Sequence, residues 1–123
     1  GINDKNVFCY KATCYETAIQ LAKRFKLKED DYTVGFQSRL GKGWVEPFSD
    51  DIIVNLAKNG VKKLLVFSPA FVADCLETII EIGDEYQELF EEHGGEKVQL
   101  VESLNSSDTF VHGLKDMILK RSL

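Results

Sequence analysis

The sequence contains few of the residues that mark several large classes of protein. Among its 123 residues are three Cys, two His and two Pro, and the longest apolar runs, such as residues 64–67, span only a few positions. A membrane-spanning helix needs about 20 apolar residues, and a secretory signal needs a basic segment followed by an apolar one. We therefore expect neither a membrane span nor a signal peptide.

Basic residues are in the minority. The chain carries 15 Lys and Arg against 20 Asp and Glu, which gives a formal charge of −5. Binding to a phosphate backbone or to anionic lipid needs clustered Lys and Arg, so we expect no nucleic-acid partner. With 44% hydrophobic and 28% charged residues, the composition is typical of one globular domain.

The three cysteines do not form a pattern for metal binding. Cys9, Cys14 and Cys75 are odd in number and cannot all pair, and structural zinc and iron–sulfur sites need four ligands. His93 and His112 do not stand at zinc spacing from another ligand, and we expect no catalytic role for them. We predict reduced thiols in the cytoplasm, no iron–sulfur cluster and no tightly bound cofactor.

Helical and strand patterns alternate along the chain, which is typical of an α/β fold with an open parallel sheet flanked by helices in three layers. The aperiodic segment 37–48 contains two Gly and one Pro and is predicted to be a long functional loop. Residues 49–51, Ser-Asp-Asp, are predicted to cap the next helix. The predicted helices are residues 13–25, 52–58, 73–92 and one that starts at 107 or 108, and the predicted strands are residues 32–36, 61–67 and 98–101.

The predicted helix 73–92 carries a row of carboxylates at helical spacing, and no Lys or Arg lies between Ala73 and Glu96. One interpretation is the solvated face of an amphipathic helix. The other is the handling of a hard divalent cation, which carboxylates bind well. The sequence alone leaves both open. The row comprises Glu77, Glu81, Glu85, Glu88 and Glu92, and the apolar residues predicted to lie opposite are Leu76, Ile80, Gly83, Tyr86 and Phe90.

Ligands of open parallel sheets bind beyond the carboxyl ends of the strands, and the predicted loops there carry candidate site residues. Glu77 lies about one turn into its helix, near Pro69 and Phe71, where partial desolvation would suit a proton acceptor. Trp44 and Phe71 would form an apolar wall for a flat ligand, or would simply pack in the core.

Several segments together resemble the carboxy-terminal half of ferrochelatase, in order and over nearly the whole chain. The resemblance implies a chelatase-like sheet of the flavodoxin or Rossmann type. It also implies a lyase that inserts ferrous iron, its substrate, into protoporphyrin or coproporphyrin in haem biosynthesis. The matching segments are residues 9–18 (CYKATCYETA), 36–41 (FQSRLG), 44–47 (WVEP), 71–78 (FVADCLET) and 102–105 (ESLN).

The resemblance also assigns roles to individual residues. Glu77 matches an active-site glutamate that takes part in proton removal or metal passage. The helix that carries Glu81 and Glu85 is often distorted into a π-helical turn in the family. The resemblance implies metal-contacting roles for Asp74, Cys75, Glu77, Glu81 and Glu85, and a porphyrin cleft lined by Gln37, Ser38, Arg39, Trp44 and Phe71.

Two departures from the family pattern affect this prediction. Many members have His where this chain has Cys75, which would contact metal as a thiolate or, as we favour, pack. A second active-site His lies in a Ser-(Ala/Tyr)-His-Gly-type block upstream in the family, and no such block follows Gly1 here. We therefore expect a fragment that lacks an amino-terminal domain and the first strand of its sheet.

Three further expectations follow from a fragment of this kind. Alone it should show little turnover, and it should self-associate through the unpaired sheet edge. We expect a cytoplasmic location, with peripheral membrane contact left open. The alternatives to ferrochelatase are a small one-domain homodimeric chelatase of the sirohydrochlorin type and a non-catalytic α/β binding module.

Overall fold

The computed structural model describes residues 2–39 and 41–121 and contains helices and two strands in that part of the chain. Gly1, Leu40, Ser122 and Leu123 lie outside the described residues, so the start of the chain and the Leu40 position of segment 36–41 have no structural account. The helices are α1 (Tyr10–Phe25), α2 (Ser49–Lys58), a π-helix (Glu77–Glu85), α3 (Tyr86–Glu92) and α4 (Asp108–Arg121), the strands are β1 (Lys63–Val66) and β2 (Lys97–Leu100), and a short 3₁₀ turn spans Glu29–Asp31.

The sheet consists of β1 and β2, which run parallel with Leu64 opposite Val98. The two predicted strands 61–67 and 98–101 are therefore confirmed in place, although β1 is shorter than expected and β2 begins and ends one residue earlier. A parallel pair needs a crossover connection, and the π-helix with α3 supplies it. This is the α/β arrangement that the alternating pattern predicted.

The predicted strand 32–36 is wrong. Only Phe36 makes a bridge, and its partner is Phe48 rather than a strand of the sheet. The Phe36 N–H donates to the Pro47 carbonyl at 2.9 Å, and the Ser49 N–H donates to the Phe36 carbonyl at 2.9 Å. The backbone hydrogen bonds of Phe36 thus close the base of the loop 37–48.

Helix boundaries differ from the predicted ones by a few residues, as is common at helix ends. α1 begins three residues early, at Tyr10 rather than residue 13. In α2, residues 49–51 form the first turn instead of capping it, and Phe48 is the N-cap residue. Asp50 and Asp51 still lie at the positive end of the helix dipole. Gly60 follows the helix with φ +87°, the left-handed conformation expected of a C-terminal glycine.

The predicted helix 73–92 starts late and changes type. Residues 73–75 are irregular, the segment Glu77–Glu85 is a π-helix, and α3 completes the element. The bond that defines a π-helix joins an N–H to the carbonyl five residues earlier, and the Tyr86 N–H makes it to the Glu81 carbonyl. The π-helical turn that the ferrochelatase resemblance implied is confirmed.

The core lies between α2, the π-helix with α3, and the sheet. Its buried residues are Ile53, Ala57, Ile82, Tyr86, Phe90 and Val98. Gly95 packs so closely on the Phe90 ring that a Cβ there would overlap the ring. No helix in the described part of the chain is long and apolar enough to cross a membrane.

The apolar face predicted for helix 73–92 is partly wrong. Tyr86 and Phe90 are buried as expected, but Leu76 is 75% exposed and Ile80 is 41% exposed. Thr78 and Ile82 occupy the buried positions instead. The predicted face assumes 3.6 residues per turn. The wider π-helical turn changes the face on which residues 77–85 lie relative to α3.

Candidate functional site

A cavity of about 700 Å³ opens between the segment 36–39 and the π-helix. Six of the residues predicted from the sequence as site residues line it: Gln37, Ser38, Arg39, Glu77, Glu81 and Glu85. The remaining lining residues are Phe36, Asp50, Leu76, Ile80, Tyr86 and Leu89. Trp44, Phe71, Asp74 and Cys75, also predicted site residues, do not line this cavity. The fold therefore brings six of the ten predicted site residues together around this cavity, between the segment 36–39 and the π-helix.

Glu81 is the most tightly held carboxylate of the cavity. Ser38 donates to it twice, from its N–H to Oε1 at 2.8 Å and from its hydroxyl to Oε2 at 2.7 Å. The Gln37 amide donates to Oε2 at 3.0 Å, and the Tyr86 hydroxyl donates to Oε1 at 3.1 Å. Glu81 is therefore not part of a solvated stripe, as the α-helical interpretation of the acidic row required.

These hydrogen bonds keep Glu81 charged. Burial works to raise the pKa of this carboxyl, but the bonds from Ser38, Gln37 and Tyr86 outweigh it, and the pKa lies below its usual value. Burial and the nearby charge of Glu81 raise the pKa of Tyr86 well above its usual range. Tyr86 thus stays protonated and remains a donor to the partly buried Glu81 carboxylate.

Ser38 adopts a backbone conformation that is uncommon outside glycine. Its φ is +58°, in the left-handed region that costs an L-residue about 1–2 kcal/mol. The conformation points both the N–H and the hydroxyl of Ser38 at the Glu81 carboxylate. Strained backbone of this kind concentrates at functional sites.

Gln37 connects the cavity floor to the neighbouring elements. Its amide nitrogen donates to the Glu77 carbonyl at 2.8 Å as well as to Glu81, and its amide oxygen accepts from the Ser68 hydroxyl at 3.3 Å. The Trp44 indole N–H donates to the Gln37 carbonyl at 3.0 Å. Trp44, predicted as a cleft wall, here braces the segment that forms the floor and remains 41% exposed.

Arg39 closes one end of the cavity. Its guanidinium lies over the Phe48 ring, 4.4 Å from the centroid, and forms an ion pair of 3.4 Å with Asp50. The sequence pattern placed Asp50 only at a helix start and Tyr86 only in the core. Both also line the cavity. Their place there depends on how segment 36–39 and the π-helix pack together, which the sequence pattern does not show.

The partial desolvation predicted for Glu77 is wrong. Glu77 is exposed, and its carboxylate makes no hydrogen bond or ion pair within residues 2–39 and 41–121. Glu77 lines the cavity beside the exposed apolar side chains of Leu76 and Ile80. Glu85 is likewise exposed.

Asp74 lies outside the cavity and is engaged elsewhere. Its carboxylate accepts from the Asn105 amide at 2.8 Å and from the Ser103 N–H at 3.1 Å. The Asn105 bond, and then the Ser103 bonds, lower the pKa of Asp74. The segment 102–105 is thus the partner of the segment 71–78.

Cys75 and Phe71 are both partly buried near the start of the π-helix. The Cys75 N–H donates to the Thr78 hydroxyl at 3.0 Å, and the sulfur lies 4.0 Å from the same oxygen. Among the described residues, no three His, Cys, Asp or Glu side chains converge on one metal position. The five residues predicted to contact metal therefore do not form a single ligand cluster, and their roles along a path stay a prediction.

Comparison with known proteins identifies the family of this chain. The sequence model of the ferrochelatase family matches residues 2–122. A ferrochelatase of Coxiella burnetii (strain Dugway 5J108-111) is 42% identical over 120 residues, which cover 97% of this chain and 34% of that protein. One of Legionella pneumophila (strain Lens) is 42% identical over 118 residues, covering 95% and 36%.

A ferrochelatase of Ectopseudomonas mendocina (strain ymp) is 50% identical over 108 residues, covering 87% of this chain and 32% of that protein. The chain thus spans about a third of the length of the curated relatives that it matches. The resemblance seen in the sequence is confirmed, and the chain belongs to the ferrochelatase family.

Proposed function

We propose that this chain is the carboxy-terminal part of a longer ferrochelatase, a lyase that inserts ferrous iron into a porphyrin in haem biosynthesis. Family membership supports the activity, and the match to only about a third of each relative supports the fragment. The rest of the polypeptide, an amino-terminal domain, would complete the cleft. The porphyrin is protoporphyrin IX or coproporphyrin III.

The single observation that carries the proposal is the grouping of Gln37, Ser38, Arg39 and three glutamates around one cavity of about 700 Å³. Insertion of Fe²⁺ into a free-base porphyrin releases two pyrrole protons. The reaction needs a proton acceptor close to the ring nitrogens and a route for a dication. Carboxylates serve both needs.

Glu77 has a carboxylate that is free to accept a pyrrole proton. It is exposed at the cavity mouth without a hydrogen-bond partner in the described part of the chain. The exposed side chains of Leu76 and Ile80 beside it offer an apolar surface to the macrocycle. Glu77 therefore takes a pyrrole proton or passes the metal, and Trp44 and Phe71 contribute cleft surface once the other domain is present.

Glu81 and Glu85 suit a metal route along the π-helix. Glu85 is exposed to solvent, whereas Glu81 is held in its charged form by its four hydrogen bonds. Ferrous iron enters as substrate, either past these residues or from the other face of the ring. A cytoplasmic location belongs to the same proposal, whereas metal contact by Asp74 or Cys75 stays a prediction from the resemblance.

The test uses the full-length polypeptide. Titration with free-base porphyrin, followed by the Soret band, measures binding, and the appearance of metalloporphyrin with Fe²⁺ under anaerobic conditions measures insertion. Absence of both would leave a non-catalytic binding module, and insertion only into a sirohydrochlorin-type ring would support the small-chelatase alternative.

The Glu77→Gln variant tests the residue assigned to proton or metal transfer. Loss of a positioned proton acceptor lowers rates by about 100-fold or more, so kcat should fall to that extent with an unchanged thermal unfolding midpoint. Glu88→Gln, on an exposed position of α3 outside the cavity, is the matched control. A Glu77→Gln rate close to that of the unaltered protein would exclude the role given to Glu77.

A further inference from the structure

Asn105 ties the loop after β2 to the segment that leads into the π-helix. Its backbone N–H donates to the Val72 carbonyl at 2.8 Å. Its side-chain oxygen accepts from the Asp74 N–H at 2.9 Å, and its side-chain nitrogen donates to the Asp74 carboxylate at 2.8 Å. The Asn105 side chain thus bonds to both the backbone N–H and the carboxylate of Asp74, which lies 31 positions away in sequence.

The backbone of Asn105 is set for this contact. Its φ is +48°, in the left-handed region that Asn tolerates better than most residues. The Ser103 N–H adds a third side-chain bond to Asp74, at 3.1 Å. Asp74 uses both carboxylate oxygens and its N–H on this one loop, so the two loops are locked in register.

The π-helix begins directly after the clamped residue. Leu76 and then Glu77 follow Asp74, and the Cys75 N–H is capped by the Thr78 hydroxyl at 3.0 Å. The Glu77 carboxylate itself has no bonding partner in the described ranges, so its position depends on its backbone. That backbone is held by Gln37 at the Glu77 carbonyl and by the Asn105 clamp upstream.

We propose that Asn105 is a positioning residue for metal insertion: by clamping Asp74 it fixes where the π-helix begins and therefore where the Glu77 carboxylate stands in the cavity. The inference rests on the function proposed above and extends it to a residue outside the cavity. It also gives Asp74 a role through its hydrogen bonds rather than through contact with the metal.

Three variants of the full-length polypeptide test the inference. Asn105→Gly keeps the left-handed backbone and removes the side-chain bonds. Asn105→Asp sets a second carboxylate against Asp74. The reciprocal double variant Asp74→Asn with Asn105→Asp restores the side-chain bonds between positions 74 and 105, because Asn at position 74 can donate to the new carboxylate and still accept from Ser103. It does not restore the longer bond of 3.4 Å from the Asn105 side chain to Glu102.

The matched control is Lys26→Gly. Lys26 also has a left-handed backbone, with φ +58°, and it ends α1 without lining the cavity. For each protein, kcat and the KM values for porphyrin and Fe²⁺ are measured and normalised to the folded fraction from thermal unfolding. A purely structural role would change the folded fraction and leave normalised kcat unchanged.

We expect Asn105→Gly and Asn105→Asp to lower normalised kcat by at least about tenfold, since a 1 Å misplacement of reacting groups can cost about 100-fold. Porphyrin KM should change by less than about threefold, and the double variant should recover most of kcat. If normalised kcat of the single variants stays within twofold of the unaltered protein, the inference is overturned. The same holds if the double variant is no better than Asn105→Asp, because the Asp74 carboxylate would then act itself. An unaltered protein that inserts no iron overturns the proposed function and this inference together.

Discussion

Replacement of Ser38 by Ala and by Gly separates two opposing contributions to the site. The hydroxyl of Ser38 donates to the charged Glu81 carboxylate at 2.7 Å, and its backbone is held at φ +58°. Ala removes the hydroxyl and keeps the unfavourable backbone. Gly removes the hydroxyl as well but adopts the left-handed conformation freely.

The expected magnitudes differ between the two variants. A hydrogen bond to a charged group contributes about 1.5–3 kcal/mol, so Ser38→Ala should weaken the attachment of the π-helix by about 2 kcal/mol. Relief of the left-handed backbone recovers about 1 kcal/mol in Ser38→Gly, which leaves a loss of about 1 kcal/mol. These losses correspond to about 30-fold and about 5-fold more frequent local opening.

Amide hydrogen exchange of the full-length polypeptide, read by mass spectrometry on peptides that cover the π-helix, measures this opening. Ser106→Ala, at an exposed loop position, is the control and should leave exchange unchanged. If the Gly variant opens as often as the Ala variant, the argument from the left-handed backbone is wrong. If neither variant opens more often, Ser38 does not hold the π-helix through Glu81.

Three further predictions concern pH, packing and assembly. The pKa of Glu81 is lowered in the folded state, so the ionised carboxylate stabilises the fold at pH values above its usual pKa of 4.5. This contribution is lost as pH falls through the lower folded-state pKa. Glu81→Gln should therefore flatten the acid limb of a stability–pH curve, and an unchanged limb would contradict this. Gly95→Ala should destabilise the core by about 1–3 kcal/mol through overlap with Phe90, measured by urea unfolding, whereas Gly113→Ala in α4, where a Cβ meets nothing, should not. The 123-residue chain alone should self-associate through the open edge of β1, and light scattering that reports a monomer at all concentrations would refute this.

The sheet was predictable from sequence because its signal is local. Residues 64–67 form a continuous apolar run, and such runs are typical of strands in a parallel sheet. Segment 32–36 has β-branched and aromatic residues but no continuous apolar run, and Phe36 pairs with Phe48 instead of joining the sheet. Pairing partners depend on the whole fold, so propensity alone could not decide whether that segment joined the sheet.

The candidate site was predictable only in part, and the π-helix is the reason. Ordinary helical spacing put Glu77 and Glu81 on one face and Leu76 and Ile80 on the other. The structure instead turns Glu81 inward to Ser38 and leaves Leu76 exposed beside Glu77. The family resemblance indicated the π-helical turn, but not which side chain would be held and which left free.

Long-range polar contacts were beyond the reach of sequence patterns. The Asp74–Asn105 bonds join residues 31 positions apart, and the Ser38–Glu81 bonds join residues 43 positions apart. No periodicity relates such pairs, since each lies in an irregular loop on at least one side. In the described part of the chain, Gln37 and Ser38 bond to the π-helix itself, and Ser103 and Asn105 bond to Asp74 just before it.

The carboxylates on and near the π-helix fall into two groups: Asp74 and Glu81 are hydrogen-bonded, whereas Glu77 and Glu85 are exposed. π-Helical segments are rare and occur frequently at functional sites. Here Asp74 and Glu81 accept hydrogen bonds from residues outside the π-helix, namely Asn105, Ser103, Ser38 and Gln37. The carboxylates of Glu77 and Glu85, which also line the cavity, have no hydrogen-bond partner in residues 2–39 and 41–121. An acidic row that served only solvation would gain nothing from this division, since exposed like charges at helical spacing merely repel. The division is what a cavity needs if one carboxylate must stay in place while another exchanges a proton or a metal ion.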